Sequence, residues 1–561
     1  MKRSDAVDIG SLEEHGASSL LDLVIVGAGP HALALYTRLM DDNPDASASY
    51  FVAMPSQPRP AASRQKLSKK RCKSSAFRKD FSRRVAVIDP AGRWCCQWDR
   101  QFSALQIPYL RSTPDVHPGS FDSAALETFA KVKRRDGEFR PFDSERSKQA
   151  RDVAFSAPSA DLFFDFCAHL VRNYGIQDVV REGKVKDIEP MADGTFCVHL
   201  HSRQVLRTRR VVVATGGTTV PRIPAWAKEA GGPDGSLVHA WDLVKCSCAH
   251  GIPKTTDNPG LQKWRQQEKA ACTWSTTLKA EQPRILIVGG GLTSLHLFQC
   301  AVEKHGVRHV HLVTKSDSFS VKQFDIGLDW VGWLTRPGLL SKFLNQTNFE
   351  ERLSMLRSAR GRGSVTPEAL LRLQRTLHKY EKARESGSDE WDLRVDEGLG
   401  VEAVMWMDDE HFAFEGSGGE WEVYFTDGSI GHYDKIWLCT GSNLSAKDDP
   451  LLGSLLAQRP IDLVGGLPVL EPTLRWNRET EVYIMGAFAG LQLGPDALNL
   501  AGARTGSVRI DKAIRDLVRK GGDGEAIEIS KLSLKSSKSN QNVCLSVKCR
   551  RGACCNHINR M

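Results

Sequence analysis

The sequence predicts an α/β protein made of two Rossmann-like dinucleotide-binding domains with β-meander insertions. Three observations predict it. A strand–glycine turn–helix unit begins at Leu23, and a second begins at Arg284. Each is followed, further on, by a meander that returns through a buried strand into Thr-Gly.

The first unit is the apolar run Leu23-Val24-Ile25-Val26, the turn Gly27-Ala28-Gly29-Pro30-His31-Ala32, and a helical pattern with Leu33, Leu35, Tyr36, Leu39 and Met40. In a Gly-x-Gly-x-x-Ala turn, Gly27 allows the tight bend and Gly29 lets a pyrophosphate approach the backbone. Ala32 lets the helix pack on the strand, and the phosphates sit at the positive helix end. Such a turn also occurs in α/β proteins that bind no dinucleotide. The second unit repeats the logic with Gly289, Gly291 and, in the small third position, Ser294; Gly291 lies 262 residues after Gly29 (291 minus 29). Two fingerprints in one chain imply two nucleotide cofactors.

A Rossmann unit ends its second strand on an acid about 20 residues past the glycines, where it meets ribose hydroxyls. Here the strand Val85-Ala86-Val87-Ile88-Asp89 arrives 62 residues after Gly27 (89 minus 27). The Ser/Lys/Arg-rich stretch 51–84 therefore reads as a disordered basic insertion. Asp89 either meets the ribose or starts a turn with Pro90 and Gly92. In the second unit the strand His309–Thr314 runs into Lys315, 26 residues after Gly289 (315 minus 289). A cation there suits a 2′-phosphate and hence NADPH; the alternative is an exposed lysine without a partner.

Residues 92–112 read as irregular and aromatic-rich, a loop that carries Gln106 and Arg111 and leads to His117. Helices are expected at Ser123–Val132 and Ala160–Tyr174. The meander from Val185 to Val213 returns to Thr215 and Gly216. Thr366-Pro367-Glu368 opens a helix to about Leu377. The second meander returns to Thr440 and Gly441. A last buried strand runs from Val482 to Gly486, and Gly494-Pro495-Asp496-Ala497-Leu498-Asn499 starts a helix ending near Leu517. The expected organisation is a flexible tail over 1–21, a first domain from 22–225 plus 440–518, a second over 284–439, a surface insertion over 245–283, and a disordered basic tail over 519–561.

The chain has 561 residues, 41% hydrophobic and 25% charged, an ordinary globular composition. No apolar run approaches the ~20 residues of a membrane helix. The first residues do not read as a secretory signal, and 14 cysteines without framework spacing read as reduced thiols, so a cytoplasmic location is expected. The net charge is +9, of which 51–84 carries +10 and 521–561 carries +4. The remainder is about −5 by subtraction, so the folded part is not expected to bind nucleic acid. Lys69-Lys70-Arg71-Cys72-Lys73 is either a solvated loop or a polyanion patch. Cys544, Cys549, Cys554, Cys555 and His557 match no zinc spacing, and no metal is expected.

Taken together, Gly27–Ala32, Asp89-Pro90-Ala91-Gly92-Arg93-Trp94, Leu110-Arg111-Ser112 with His117-Pro118, Gly289–Ser294, Gln323-Phe324-Asp325 and Gly494-Pro495 with Asn499–Arg504 resemble the two-dinucleotide flavoprotein monooxygenases, and within them the lysine/ornithine N-hydroxylases. The resemblance covers most of 22–518. It implies FAD on the first fingerprint, NADPH on the second, and hydroxylation of a small amine- or amino-acid-like nucleophile through a flavin hydroperoxide. The cofactor-contacting positions it implies are Gly27, Gly29, Ala32, Asp89, Trp94, Thr215, Gly216, Gly289, Gly291, Ser294, Lys315, Thr440, Gly441, Gly486, Gly494, Pro495 and Asn499. Gln106 matches a glutamine near flavin and nicotinamide. Arg111 stands where the family has a lysine that holds the substrate carboxylate. His117 is either a donor near the flavin or a structural His-Pro turn. The implied partners are oxygen and a small-molecule substrate, with no membrane and a possible homo-oligomer.

Three other readings share the fold. A flavin disulfide reductase needs a redox cysteine pair, and neither Cys95-Cys96 nor Cys246-x-Cys248 stands at a helix start after a fingerprint strand. An NADPH oxidase or acceptor reductase needs no substrate pocket for hydroxylation. A redox sensor needs only the binding turns.

Overall fold

The computed structural model describes residues 20–40, 84–119, 122–142, 156–217, 220–246, 278, 282–331, 335–361, 363–385, 391–407 and 419–520. The basic stretch up to residue 83, Lys69–Lys73, the C-terminal Cys/His group and most of 245–283 lie outside the described residues.

Two parallel sheets organise the chain. The first unit begins with β1 (Leu23–Val26), α1 (Pro30–Leu39), β2 (Val85–Asp89), β3 (Val180–Glu182) and β4 (Val211–Val213). The second contains β5 (Leu237–His239), β6 (Arg284–Val288), α2 (Leu292–Gln299), β7 (His309–Thr314), β8 (Asp392–Glu397) and β9 (Lys435–Leu438). The chain then returns to the first unit through β10 (Arg475–Asn477), β11 (Thr480–Ile484) and the long helix α3 (Leu500–Lys520).

The first sheet has the order β10-β11-β4-β1-β2-β3 and the second β5-β9-β6-β7-β8. All pairings are parallel except β10 with β11. Helices cover both faces of such sheets, so their central strands read as unbroken apolar runs. All four residues of β1 are buried, as are Ile285, Leu286 and Ile287 of β6. A fully buried side chain of this size contributes about 1.5–3 kcal/mol.

The meanders are separate three-stranded antiparallel sheets, Val185–Pro190 with Phe196–Leu200 and Val205–Thr208, and Val401–Met407 with Glu420–Phe425 and Ile430–Tyr433. Each hands the chain to a central parallel strand, β4 or β9. The helix Ala160–Tyr174 lies where the periodicity puts it, capped by Ser159, whose Oγ accepts from Leu162 N at 3.0 Å.

Several boundaries differ from the sequence reading. Residues Cys96–Ala104, expected to be irregular, form a helix. Its start carries no side-chain cap because Cys95 takes a left-handed backbone. It is held instead by Trp98 stacking on Phe102 at 5.5 Å, one turn apart. The helix expected from Ser123 begins at Ala125. The helix at Pro367 runs to Glu385, because its outer turns are charged and need no partner. The segment at Gly494 makes a short 3-10 turn, Pro495–Leu498, before α3 begins. β5, placed in neither domain by the sequence, pairs with β9 in the second sheet. Leu278, within the expected surface insertion, is buried in the second core. Among the described residues no helix is long and apolar enough to cross a membrane.

Candidate functional site

The two glycine turns are built alike. Gly27 N donates to Ile88 O at 2.8 Å and Ala214 N to Val26 O at 2.8 Å. In the second unit Gly289 N donates to Val313 O at 2.9 Å and Cys439 N to Val288 O at 2.8 Å. Gly27 and Gly289 have φ of +97° and +140°. A Cβ on Gly27 would stand 2.7 Å from Ala214 O, and one on Gly289 2.4 Å from Cys439 O. Only glycine fits either turn. A Cβ on Gly29 or Gly291 would meet nothing within 4 Å.

Both helices start bare. Neither α1 nor α2 has a side-chain N-cap hydrogen bond or an acid in its first turn. Neither helix thus neutralises its positive end with an acid or cap of its own, which suits an anionic pyrophosphate. Ala32 is buried against the first core, and Ser294 Oγ donates to Gly291 O at 2.6 Å. These features fit two dinucleotides.

The remaining predicted positions fall around the two turns. Asp89 ends β2 with Oδ2 accepting from Ala28 N at 3.0 Å and Oδ1 from Ala91 N at 2.9 Å. It thus serves the turn and faces the fingerprint at once. Trp94 meets Tyr36 edge-on at 5.7 Å and donates from Nε1 to Ile176 O at 2.9 Å. Thr215 and Gly216 follow β4, and Gly486 opens the turn after β11. Lys315 is exposed just beyond β7. Thr440 Oγ1 donates to Arg222 O, and Gly441 O accepts from Arg222 N at 2.9 Å and from His239 Nε2 at 3.0 Å. Thr440 and Gly441 thus tie the two crossings between units together.

Gln106 is exposed, with φ of +48°, at the end of the helix Cys96–Ala104. Its neighbours Ala104 and Leu105 pack in the second core, so Gln106 stands at the junction of the units. Arg111 also bridges them. Its Nε donates to Gln323 O at 3.2 Å and its Nη2 to Lys322 O at 2.8 Å and Ser364 Oγ at 3.1 Å. Nη1 reaches Ser364 O at 3.4 Å. Next to Ser364, a Cβ on Gly363 would stand 3.7 Å from Gly291 Cα. Arg111 therefore docks the first unit beside the second glycine turn. Burial lowers its pKa, and the neighbouring Asp325 offsets part of that.

His117 is fully buried. Its Nδ1 accepts from Gly119 N at 3.1 Å and its Nε2 lies 3.3 Å from Ser123 O. Arg504 donates to the carbonyls of His117 at 3.0 Å and Gly119 at 2.7 Å. Burial, with the Arg504 charge adding, holds the imidazole well below its usual pKa. These contacts are those of a neutral histidine that shapes a turn.

Between Arg111 and the start of α3 the predicted positions Pro495 and Asn499 join a cluster whose arginines, Arg336 and Arg360, the sequence reading did not assign. Arg360 Nη2 pairs with Asp325 Oδ2 at 2.5 Å and Nη1 donates to Pro495 O at 3.0 Å. Asn499 Nδ2 reaches Asp325 Oδ1 at 3.4 Å. Arg336 pairs with the buried Asp496 at 2.8 Å, whose carboxyl burial pushes up. Gln323-Phe324-Asp325 marked the acid's position, but its partner Arg360 lies 35 residues on (360 minus 325), beyond any local pattern. Cys96 Sγ accepts from Arg93 Nη2 at 3.1 Å, and burial pushes its thiol up. That is opposite to the lowered thiol a disulfide reductase uses.

No protein-family model matches the sequence, and no curated protein matches it. Solved structures do. The reduced form of ornithine hydroxylase from Pseudomonas aeruginosa superposes with a TM-score of 0.56 at 16% identity, over 88% of this chain and 98% of that one. The ornithine N-hydroxylase of Kutzneria sp. 744, solved with reduced FAD, NADP+ and L-ornithine, gives 0.57 at 14% identity over 89% and 99%. L-lysine 6-monooxygenase from Pseudomonas syringae gives 0.53 at 16% identity over 89% and 100%. The fold is that of the N-hydroxylases. The resemblance read from Gly27–Ala32 and Asp89–Trp94 therefore holds for the fold over most of the chain. The first sheet is split in sequence, since β11 completes it only after the second sheet is made.

Proposed function

We propose that this chain is an FAD-dependent, NADPH-consuming oxidoreductase, a monooxygenase that hydroxylates a small amine- or amino-acid-like nucleophile. The observation that carries this reading is the pairing of two matched glycine turns with Arg111 as the tie between them. The tie sets the loop that follows the Asp89 strand beside Gly291. Two dinucleotides must meet at such a junction if one is to reduce the other.

Gly27, Gly29 and the start of α1 would hold the FAD pyrophosphate, and Asp89 its ribose. Gly289, Gly291 and Ser294 would hold the NADPH pyrophosphate, and Lys315 its 2′-phosphate. Together the two cofactors supply hydride transfer and oxygen activation when bound. The protein's part is placement. Arg111 spends its donors on main-chain carbonyls and the Ser364 hydroxyl, so it acts as a positioning residue that fixes the junction. His117, neutral and locked by Gly119 and Arg504, shapes the loop. Gln106, exposed at the junction, would face both cofactors.

The test is to purify the protein, measure bound FAD, and follow its reduction by NADPH and by NADH. The reduced protein is then mixed with oxygen in the presence of ornithine, lysine or cadaverine. Bound FAD, faster reduction by NADPH and a substrate-dependent hydroxylated product are expected. NADPH consumption that yields only hydrogen peroxide with every amine would replace this reading by an oxidase or acceptor reductase. A protein with no affinity for FAD would end it.

A further inference from the structure

His31 is the second residue of α1, directly behind the first glycine turn. Its ring lies at the carboxyl end of the first sheet. A Cβ on Gly486 would stand 4.0 Å from ring atoms Cε1 and Nδ1 and 3.9 Å from Gly216 Cα. His31, Gly216 and Gly486 follow β1, β4 and β11, three neighbouring strands. Chain order runs outward from β1 through β2 and β3 on one side and through β4 and β11 on the other. That reversal point is where open α/β sheets take their ligands.

The ring is held by a hydrogen bond to the Leu498 backbone, at the turn before α3. Its other nitrogen, Nδ1, is shielded from solvent and has no hydrogen-bond partner. With Nδ1 unpartnered, Nε2 is the nitrogen left for the Leu498 backbone; a proton on Nε2 makes Nδ1 an acceptor with a lone pair. A shielded acceptor without a donor is costly and uncommon in native proteins. Burial keeps the ring neutral, with its pKa lowered to about 4, so the lone pair is present at neutral pH.

We propose that His31 is a cofactor-binding residue whose Nδ1 accepts a hydrogen bond from an O–H or N–H group on the flavin half of the dinucleotide. This rests on the reading that FAD occupies the first glycine turn. Phosphate oxygens offer no donor. Asp89, the acid assigned to the ribose of the adenosine half, ends β2 on the far side of β1 from Gly216 and Gly486. The ribityl hydroxyls and the ring imide N–H are the donors that remain on the His31 side.

The experiment compares wild type with His31→Leu, His31→Asn and His31→Gln after removal of flavin. Affinities for FAD and for ADP are measured by calorimetry, the flavin absorption spectrum is recorded, and the apoprotein melting temperature reports folding. Asn keeps an acceptor where Nδ1 stood; Gln keeps a polar group only where Nε2 stood. His31→Leu and His31→Gln are expected to weaken FAD about tenfold and to alter the flavin spectrum while ADP binding is unchanged. His31→Asn should recover most of the affinity. FAD affinity and spectrum unchanged in both Leu and Gln variants would overturn the proposal, as would equal losses for FAD and ADP. If the Leu variant fails to fold, the Asn–Gln comparison decides. A wild-type protein that binds ADP but not FAD would instead end the cofactor reading itself, and this proposal with it.

Discussion

Gly27 and Gly29 are glycines for opposite reasons. Gly27 has no room for a Cβ and a left-handed φ, whereas Gly29 has room to spare. Gly27→Ala should therefore lower stability, by about 2 kcal/mol or more, measured by urea unfolding of the apoprotein. Gly29→Glu should leave that unfolding curve in place and abolish FAD binding, seen as loss of flavin absorbance in the purified protein. A Gly29→Glu protein that keeps its flavin would remove the first turn from the cofactor site. Lys315→Glu should raise the KM for NADPH much more than that for NADH; equal changes would take Lys315 out of the 2′-phosphate role. The glycines and Asp89 were readable because a fingerprint is local, one turn and one strand end. His31 sits inside the same fingerprint, yet nothing in sequence tells a paired imidazole from an unpaired one. That depends on Leu498, which lies 467 residues away (498 minus 31).

The elements pair across similar distances. α1 packs along α3, and their contact holds a shielded ion cluster. Arg38 Nε lies 3.3 Å from Asp511 Oδ2, Arg515 Nε 2.7 Å from Asp511 Oδ1, and Arg515 Nη2 donates to Leu39 O at 3.1 Å. Asp511→Ala removes the shielded carboxylate that Arg38 and Arg515 share. The expected loss is about 3–5 kcal/mol, read as a shift in the denaturant midpoint. A change under 1 kcal/mol would mean that water replaces the carboxylate. Strands, the helix Ala160–Tyr174 and both meanders were legible because apolar periodicity is an element-scale signal. The helix Cys96–Ala104 was not, since its cap is a left-handed cysteine and its apolar residues are few. The Asp325–Arg360 and Arg111 contacts were not legible either, because each joins residues that only the fold brings together.

At the scale of the whole molecule, buried histidines set the response to acid. Burial lowers the pKa of His31 and His296 to about 4 and holds His117 and His311 below their usual value. The unfolded chain takes up these protons near pH 6.5, whereas the folded chain takes them up only at lower pH. Between the two values the unfolded state binds more protons, so stability falls as pH falls. The slope is up to about 1.4 kcal/mol per pH unit for each histidine. The urea midpoint of the apoprotein should therefore drop steadily from pH 6.5 towards pH 5. A flat midpoint over that range would mean that the rings are hydrated in the folded state.

The split first sheet also fixes an order of events at the ribosome. β4 ends at Val213 and its neighbour β11 begins at Thr480, 267 positions later. At 5–20 residues per second this gap is roughly 13–53 s of synthesis. Throughout that interval one flank of β4 has no strand to pair with, while the second sheet, contiguous from β5 to β9, emerges complete. The nascent chain thus carries a finished downstream unit and an unclosed upstream one, and the upstream strand edge is where assistance from a chaperone would act.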